Sequence, residues 1–328
     1  MNVRIRKGWE IPEARLTPEP VYRSRRDVLR ALGFTGLGAL AWSVGCDPKL
    51  VDAESLPWSP VNVRTDNPNA GLYPATRNLA YPLDRALTAE QSTATYNNYY
   101  EFSTNKAKVW QLAENFVTRP WRVEIGGLVE AGGEFEVDDL VREFGLEERT
   151  YRHRCVEAWA MAVPWTGFPF RRIVDKVRPT SAATHVRLVT FLDEALPGVA
   201  DAPWYAWPYY EGMTLAEATN ELAFVATGIY GHELPTQNGA PWRLVLPWKY
   251  GFKSLKAMVR IEFTDSQPAT FWNDAVPDEY DFLANVDPTK PHPRWSQAHE
   301  RLIDTGEMVP TQPFNGYGEW VAAMYAGR

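Results

Sequence analysis

Cysteine is nearly absent: only Cys46 and Cys155 occur in 328 residues. That excludes a disulfide framework, and it argues against a zinc site, which needs paired Cys/His spacing. No stretch reaches eighteen uncharged apolar residues, so a transmembrane helix is not expected in the mature protein. Basic charge is also short, with 34 Lys and Arg against 41 Asp and Glu and a net charge of −7. Nucleic-acid binding generally needs a broad basic surface, and this composition does not provide one. No Gly-x-Gly-x-x-Gly turn is present, and no haem, flavin or iron–sulfur motif. Any redox chemistry must therefore draw its electrons from outside the chain. Apolar material is plentiful, with 45% hydrophobic and 13% aromatic residues, enough for a large core.

The N-terminus differs from the rest. Ser24-Arg25-Arg26-Asp27-Val28-Leu29-Arg30 precedes residues 31–45, which carry no charge and are rich in Gly, Ala and Leu. This is the layout of a signal peptide with a twin-arginine n-region. Residues 1–45 are thus expected to be a removable leader, cut between about residues 41 and 46, with residues 46–328 forming a single mature domain. Ser43-Val44-Gly45 before Cys46 makes a poor lipobox, so lipidation is not the expectation. The leader carries eight basic and four acidic side chains, so its loss takes the formal charge from −7 to −11.

Residues 47–95 lack sustained periodicity and read as an extended lead-in over the core. Val109, Leu112, Ala113, Phe116 and Val117 recur at helical spacing, predicting a core-facing helix that ends at Arg119-Pro120. Strands are predicted over residues 121–129, 150–156, 185–191 and 222–230. Short helices are predicted over residues 137–144 and 170–177, and Thr214-Leu215-Ala216-Glu217 is a capping box. Residues 265–328 are proline-rich and expected to wrap the core, ending in a helix near 320–325. Short strands and helices without regular βαβ spacing favour an α+β fold.

Three stretches carry chemistry. In the first, Tyr151-Arg152-His153-Arg154-Cys155-Val156-Glu157-Ala158-Trp159, a single thiol stands between arginines that would favour the thiolate. Cys155 reads either as a metal ligand or nucleophile or as a small buried hydrophobe. On an extended strand His153, Cys155 and Glu157 share a face. Glu157 reads as a proton-relaying group or as an ion-pair partner of Arg152 or Arg154. The second, Tyr96-Asn97-Asn98-Tyr99-Tyr100-Glu101-Phe102, suits a turn packed by tyrosines. The third runs from Pro235 to Lys256 and collects Arg243, Lys249, Lys253 and Lys256 in fourteen residues of an acidic protein. Such a local set suits a phosphate, or is a solvated basic hairpin.

Arg-Cys-Val-Glu-Ala-Trp with Val163-Pro164-Trp165-Thr166-Gly167-Phe168-Pro169, Asn238-Gly239-Ala240-Pro241-Trp242-Arg243 and Pro247-Trp248-Lys249-Tyr250-Gly251-Phe252-Lys253 resemble segments of the sulfite-oxidase-fold molybdenum enzymes. The likeness is greatest to their methionine-sulfoxide-reducing branch, and it covers nearly the whole mature chain. It implies mixed sheets with short helices around a molybdenum–molybdopterin cofactor, with Cys155 as the metal ligand. It further implies that Asn97, Tyr100, Glu101, Thr190, Asn238, Arg243, Ser254, Leu255 and Lys256 bind that cofactor. The chain is too short for the C-terminal dimerisation domain of the sulfite oxidases. The implied activity is reduction of methionine sulfoxide in periplasmic proteins, with electrons from a haem-containing membrane subunit fed by quinol. Sulfite oxidation on the same fold and non-catalytic anion binding by an exported protein are the alternatives.

Overall fold

The computed structural model describes residues 67–327. The predicted leader, its cleavage region and Cys46 lie outside the described residues, as does the first part of the lead-in. The remainder of that lead-in does lie over the core. Tyr81 packs into the main apolar cluster, while the Asn78 and Thr88 amides donate to the carbonyls of Glu148 and Ala162.

Two mixed sheets organise the described chain. The first has the order β2-β1-β10-β5-β6, with β1 Arg122–Gly127, β2 Gly133–Glu136, β5 His185–Thr190, β6 Tyr210–Thr214 and β10 Met258–Thr264. The second follows β12-β11-β4-β7-β8, and β3 and β9 attach to its β4 and β7. Its strands are β3 Glu147–Arg154, β4 Trp159–Pro169, β7 Phe224–Ile229, β8 His232–Glu233, β9 Arg243–Val245, β11 His299–Leu302 and β12 Met308–Pro310. Both sheets combine parallel and antiparallel pairs: β1 runs parallel to β10 and β11 parallel to β4, while the other pairs are antiparallel. Short helices such as Val137–Phe144, Arg171–Val177 and Leu215–Thr219 complete the α+β architecture.

β4 is the spine of the second sheet. All of its residues except Pro169 are buried, because β3 and β7 flank it and both faces are covered. A strand buried on both faces has no polar alternation, and the prolines at 164 and 169 further hide it from a periodicity reading. Trp165, Trp242 and Trp248 are among the largest fully buried side chains. Each large apolar side chain removed from water contributes about 1.5–3 kcal/mol.

Two sequence expectations need correction, and a third holds. The helix expected over 109–117 is only Val109–Leu112, and although Val109 and Ala113 are fully buried, Leu112 and Val117 are exposed. The strand expected to contain Cys155 stops at Arg154, and residues 156–158 form a turn with Ala158 at φ 63°. A turn therefore brings Glu157 to Cys155, rather than strand alternation. The capping box on Leu215–Thr219 is present as predicted, with both of its hydrogen bonds formed.

Candidate active site

Cys155 is buried in the connection between β3 and β4. Its backbone N–H donates to the Trp159 carbonyl, and its own carbonyl accepts from Ala158, which closes a tight loop around the thiol. Sγ accepts from Asn98 Nδ2 at 3.3 Å and from the Glu157 amide at 3.4 Å, and lies 3.5 Å from Glu157 Oε2. The flanking arginines do not activate it. Arg152 pairs with Asp84, and Arg154 pairs with Glu300 at 3.1 Å and also donates to Gln297. Burial, reinforced by the nearby Glu157 charge, pushes the thiol well above its ordinary value. A proton on sulfur is thus favoured until a cation takes its place.

Glu157 does not pair with either arginine. Its Oε1 accepts from Lys106 Nζ at 2.9 Å, and its Oε2 accepts from Asn98 Nδ2 at 3.0 Å and Trp159 Nε1 at 3.4 Å. Burial acts to raise this carboxyl, but Lys106 and these hydrogen bonds outweigh it and hold the group below the usual carboxylate range.

The second half of the site is assembled from segments far apart in the chain. Asn238 closes the 3₁₀ turn Thr236–Asn238, with Gly239 at φ 107° beyond it, and its Nδ2 reaches Asn97 Oδ1 at 3.2 Å. Arg243, at the start of β9, donates to the carbonyls of Asn238 at 3.0 Å and Ser254 at 3.2 Å, and its guanidinium lies 4.9 Å from the Trp165 ring. Lys256 donates to the Asn98 carbonyl at 2.7 Å and stands 5.0 Å from the Tyr99 ring. Thr190 is buried at the end of β5, its hydroxyl on the Ala257 carbonyl at 3.2 Å. Ser254 Oγ is occupied by the Leu246 amide and Leu255 is a core side chain, and their backbone is engaged too: the Ser254 and Leu255 amides donate to the Gly251 and Lys253 carbonyls, and their carbonyls accept from Arg243 and from the Leu244 amide. Glu101 is buried, and its carboxyl is pushed up to about 7 by that burial. Tyr100 is partly exposed and within electrostatic reach of Glu157 and Cys155.

The basic segment does not act as one set. Among the described residues six Lys and Arg are buried: Arg149, Arg152, Arg154, Arg243, Lys249 and Lys253. Five of them have a carboxylate, including Lys249 on Glu217 and Lys253 on Glu211. Arg243 has none. Burial pulls its guanidinium down to about 10 and the Lys256 ammonium, likewise without an ion pair, down to about 7. Around them Asn98 Oδ1, Tyr99 Oη and Trp165 Nε1 are buried polar atoms without a partner. A buried guanidinium without a carboxylate, beside orphaned polar atoms, fits a site for an anionic group. On the other side of Asn98, the Cys155 sulfur as thiolate would be a soft metal ligand. Both halves therefore fit a phosphate-bearing, metal-carrying cofactor.

The structure gathers all the residues expected at the site around these two halves, joined by Asn98. Sequence reasoning passed over Asn98, Lys106, Tyr99 and His153 as site residues. His153 projects from β3 into the field of Arg243 and Lys256, and burial together with those charges holds its imidazole well below the usual range and hence neutral. Gly251 makes room for it, since a Cβ there would sit 2.6 Å from His153 Nε2. The Gly of Tyr250-Gly251-Phe252 was the available signal.

Comparison with known proteins agrees with this geometry. The family description "Oxidoreductase molybdopterin binding domain" matches residues 111–272. A Burkholderia mallei protein named protein-methionine-sulfoxide reductase catalytic subunit MsrP is 42% identical over 98% of this chain and 94% of its own. Proteins of the same name from Xanthomonas axonopodis pv. citri and Pseudomonas syringae pv. tomato are 41% and 43% identical, over 98% and 100% of this chain and 97% and 98% of theirs. The crystal structure of the sulfane dehydrogenase SoxCD from Paracoccus pantotrophus aligns at a TM-score of 0.41 and 13% identity, over 64% of this chain and 60% of that one.

If Arg243 compensates a cofactor anion, Arg243→Ala should weaken cofactor retention by roughly 10–100-fold, the worth of a charge-assisted hydrogen bond. Pterin content of the purified protein, compared with an Arg260→Ala control on the exposed face of β10, measures this. Equal content in both variants would remove Arg243 from the cofactor site.

Proposed function

Because this chain belongs to the MsrP family of protein-methionine-sulfoxide reductase catalytic subunits, we propose that it reduces methionine sulfoxide in proteins by oxygen-atom transfer at a molybdenum–molybdopterin cofactor. The observation that carries this reading is a buried arginine, Arg243, that no carboxylate answers, in the same site as the buried Cys155 thiol. The net reaction consumes one sulfoxide, two electrons and two protons and releases one thioether and one water. It reverses a common oxidative lesion. When bound, the cofactor supplies the two-electron oxygen-acceptor chemistry, and the protein supplies binding, orientation and protons.

Cys155 is assigned as the metal ligand, its proton displaced on loading. Arg243 and Lys256 would neutralise the phosphate, and Asn97, Tyr100, Glu101, Thr190, Asn238, Ser254 and Leu255 would shape the surrounding cradle. Glu157 is the carboxylate nearest the thiol and, being ionised at rest, is assigned as a proton relay that takes up a proton from solvent and passes it on towards the substrate oxygen. Lys106 and Asn98 hold it in place for that role. Electrons enter from a haem-containing membrane subunit fed by quinol. The twin-arginine leader places the enzyme in the periplasm, which suits a cofactor inserted before export.

Three experiments test these assignments. Cys155→Ser should abolish sulfoxide reduction while the fold, followed by circular dichroism, survives. Full turnover by the serine variant would refute ligation, and sulfite oxidation by the wild type without sulfoxide reduction would refute the reaction. Glu157→Gln should keep metal content and KM but lower kcat roughly 100-fold, the usual scale of a lost proton-transfer group, with an altered pH–rate profile. Normal kcat with reduced metal content would make Glu157 structural. Replacing Arg25-Arg26 with Lys-Lys should strand the precursor in the cytoplasm, and undiminished periplasmic enzyme would count against twin-arginine export.

A further inference from the structure

The carbonyl of Val156 carries two side-chain donors. Trp295 Nε1 and Gln297 Nε2 each donate to it at 2.7 Å, both from the segment that leads into β11. Gln297 is buried, and its Oε1 accepts from Arg154 Nη2 at 2.8 Å, so both ends of its amide are engaged. Trp295 is held by its face, stacked on His292 with ring centroids 3.8 Å apart and planes 8° from parallel. Arg154 anchors the arrangement in turn. It is fully buried, pairs with Glu300, donates to the Cys155 carbonyl and reaches Thr311 Oγ1 at 3.3 Å. Further along the turn, the Ala158 carbonyl accepts from the Arg301 amide of β11 at 2.9 Å. The carbonyls of residues 155, 156 and 158 are thus held by Arg154 or by residues 295–301, and a buried polar network satisfied in this way fixes one arrangement.

The consequence for the sulfur follows from the planarity of the peptide. The Val156 C=O and the Glu157 N–H belong to one trans peptide unit and point in opposite directions. Side chains that hold the carbonyl therefore aim the N–H, and this is the N–H that donates to Cys155 Sγ at 3.4 Å. The other donor to the sulfur, Asn98 Nδ2 at 3.3 Å, comes from a separate segment and does not depend on that plane.

We propose that Trp295 and Gln297 are positioning residues that act through the Val156–Glu157 peptide to keep an N–H on the ligand sulfur, and so set the reduction potential of the metal bound there. A hydrogen bond draws electron density from a thiolate, which makes it a weaker donor and favours the reduced, more electron-rich metal. Loss of the bond therefore lowers the potential. The inference rests on the assignment of Cys155 as metal ligand and adds to it a control of potential exerted by two residues that do not touch the sulfur.

The test compares molybdenum-loaded wild type with Trp295→Phe, Gln297→Met and the double variant, by potentiometric titration followed by electron paramagnetic resonance. Phenylalanine keeps a ring on His292 and methionine keeps the bulk of glutamine without adding charge, but each removes its donor to the Val156 carbonyl. Thr311→Val is the control, since it removes a contact to Arg154 and leaves both donors in place. The potential should fall in each single variant and furthest in the double variant, and stay at the wild-type value in Thr311→Val. The single variants keep one donor on the carbonyl, so the shift can be read from them alone if the double variant does not fold. Unchanged potentials in folded, loaded variants, or an equal fall in Thr311→Val, would overturn the proposal. A set of potentials that shifts as expected in a protein unable to reduce sulfoxides would uphold it and overturn the proposed reaction, whereas a wild type that binds no molybdenum would overturn both.

Discussion

An arginine buried without a counter-charge is the constraint on which the rest of this site depends. Arg243 is removed from water between β9, the Asn238 turn and the Ser254 carbonyl, and among the described residues no carboxylate answers it. An uncompensated buried ion costs several kcal/mol, and three carbonyl contacts with a cation–π contact offset only part of that. Every other buried cation nearby has its own acid, so the exception is local. The protein has kept one positive charge in reserve at the place where the loops that shape the site converge. Under the proposed cofactor assignment a phosphate would supply that missing counter-charge, and so would stabilise the site as well as hold the cofactor.

The same logic separates the two halves of the chemistry. At the anion end the chain supplies charge and lacks a partner for it. At the thiol end it withholds positive charge, since Arg152 and Arg154 are committed to Asp84 and Glu300, and the thiol stays protonated until metal arrives. Residue types alone suggested the opposite, two arginines priming a thiolate. What the sequence does not convey is which carboxylate, from residues 84 or 300, reaches back to claim each arginine.

Much of the architecture was nevertheless legible. Val137–Phe144, Arg171–Val177 and the Thr214 capping box follow from local periodicity and capping chemistry, and the structure has them where expected. β4 was not legible, because a strand buried on both faces carries no alternation and this one contains prolines. In the site, the motif residues lie on segments that the fold brings near one another. Asn98 and Lys106 escaped notice because neither belongs to a motif of its own, and their roles exist only once the turn after β3 has folded against residues 96–106. The split of the basic segment was equally hidden, since Glu211 and Glu217 lie tens of residues from Lys253 and Lys249.

Asn98 occupies a position with an architectural consequence. Its side-chain amide rests on the Cys155 sulfur and the Glu157 carboxylate, while its backbone carbonyl receives the Lys256 ammonium. One residue is therefore a keystone shared by two arches, and neither arch can be adjusted without moving the other. Insertions or deletions between residues 96 and 102 would shift both together, and no compensating change at one end could repair the other. The segment should tolerate changes of side chain far better than changes of length.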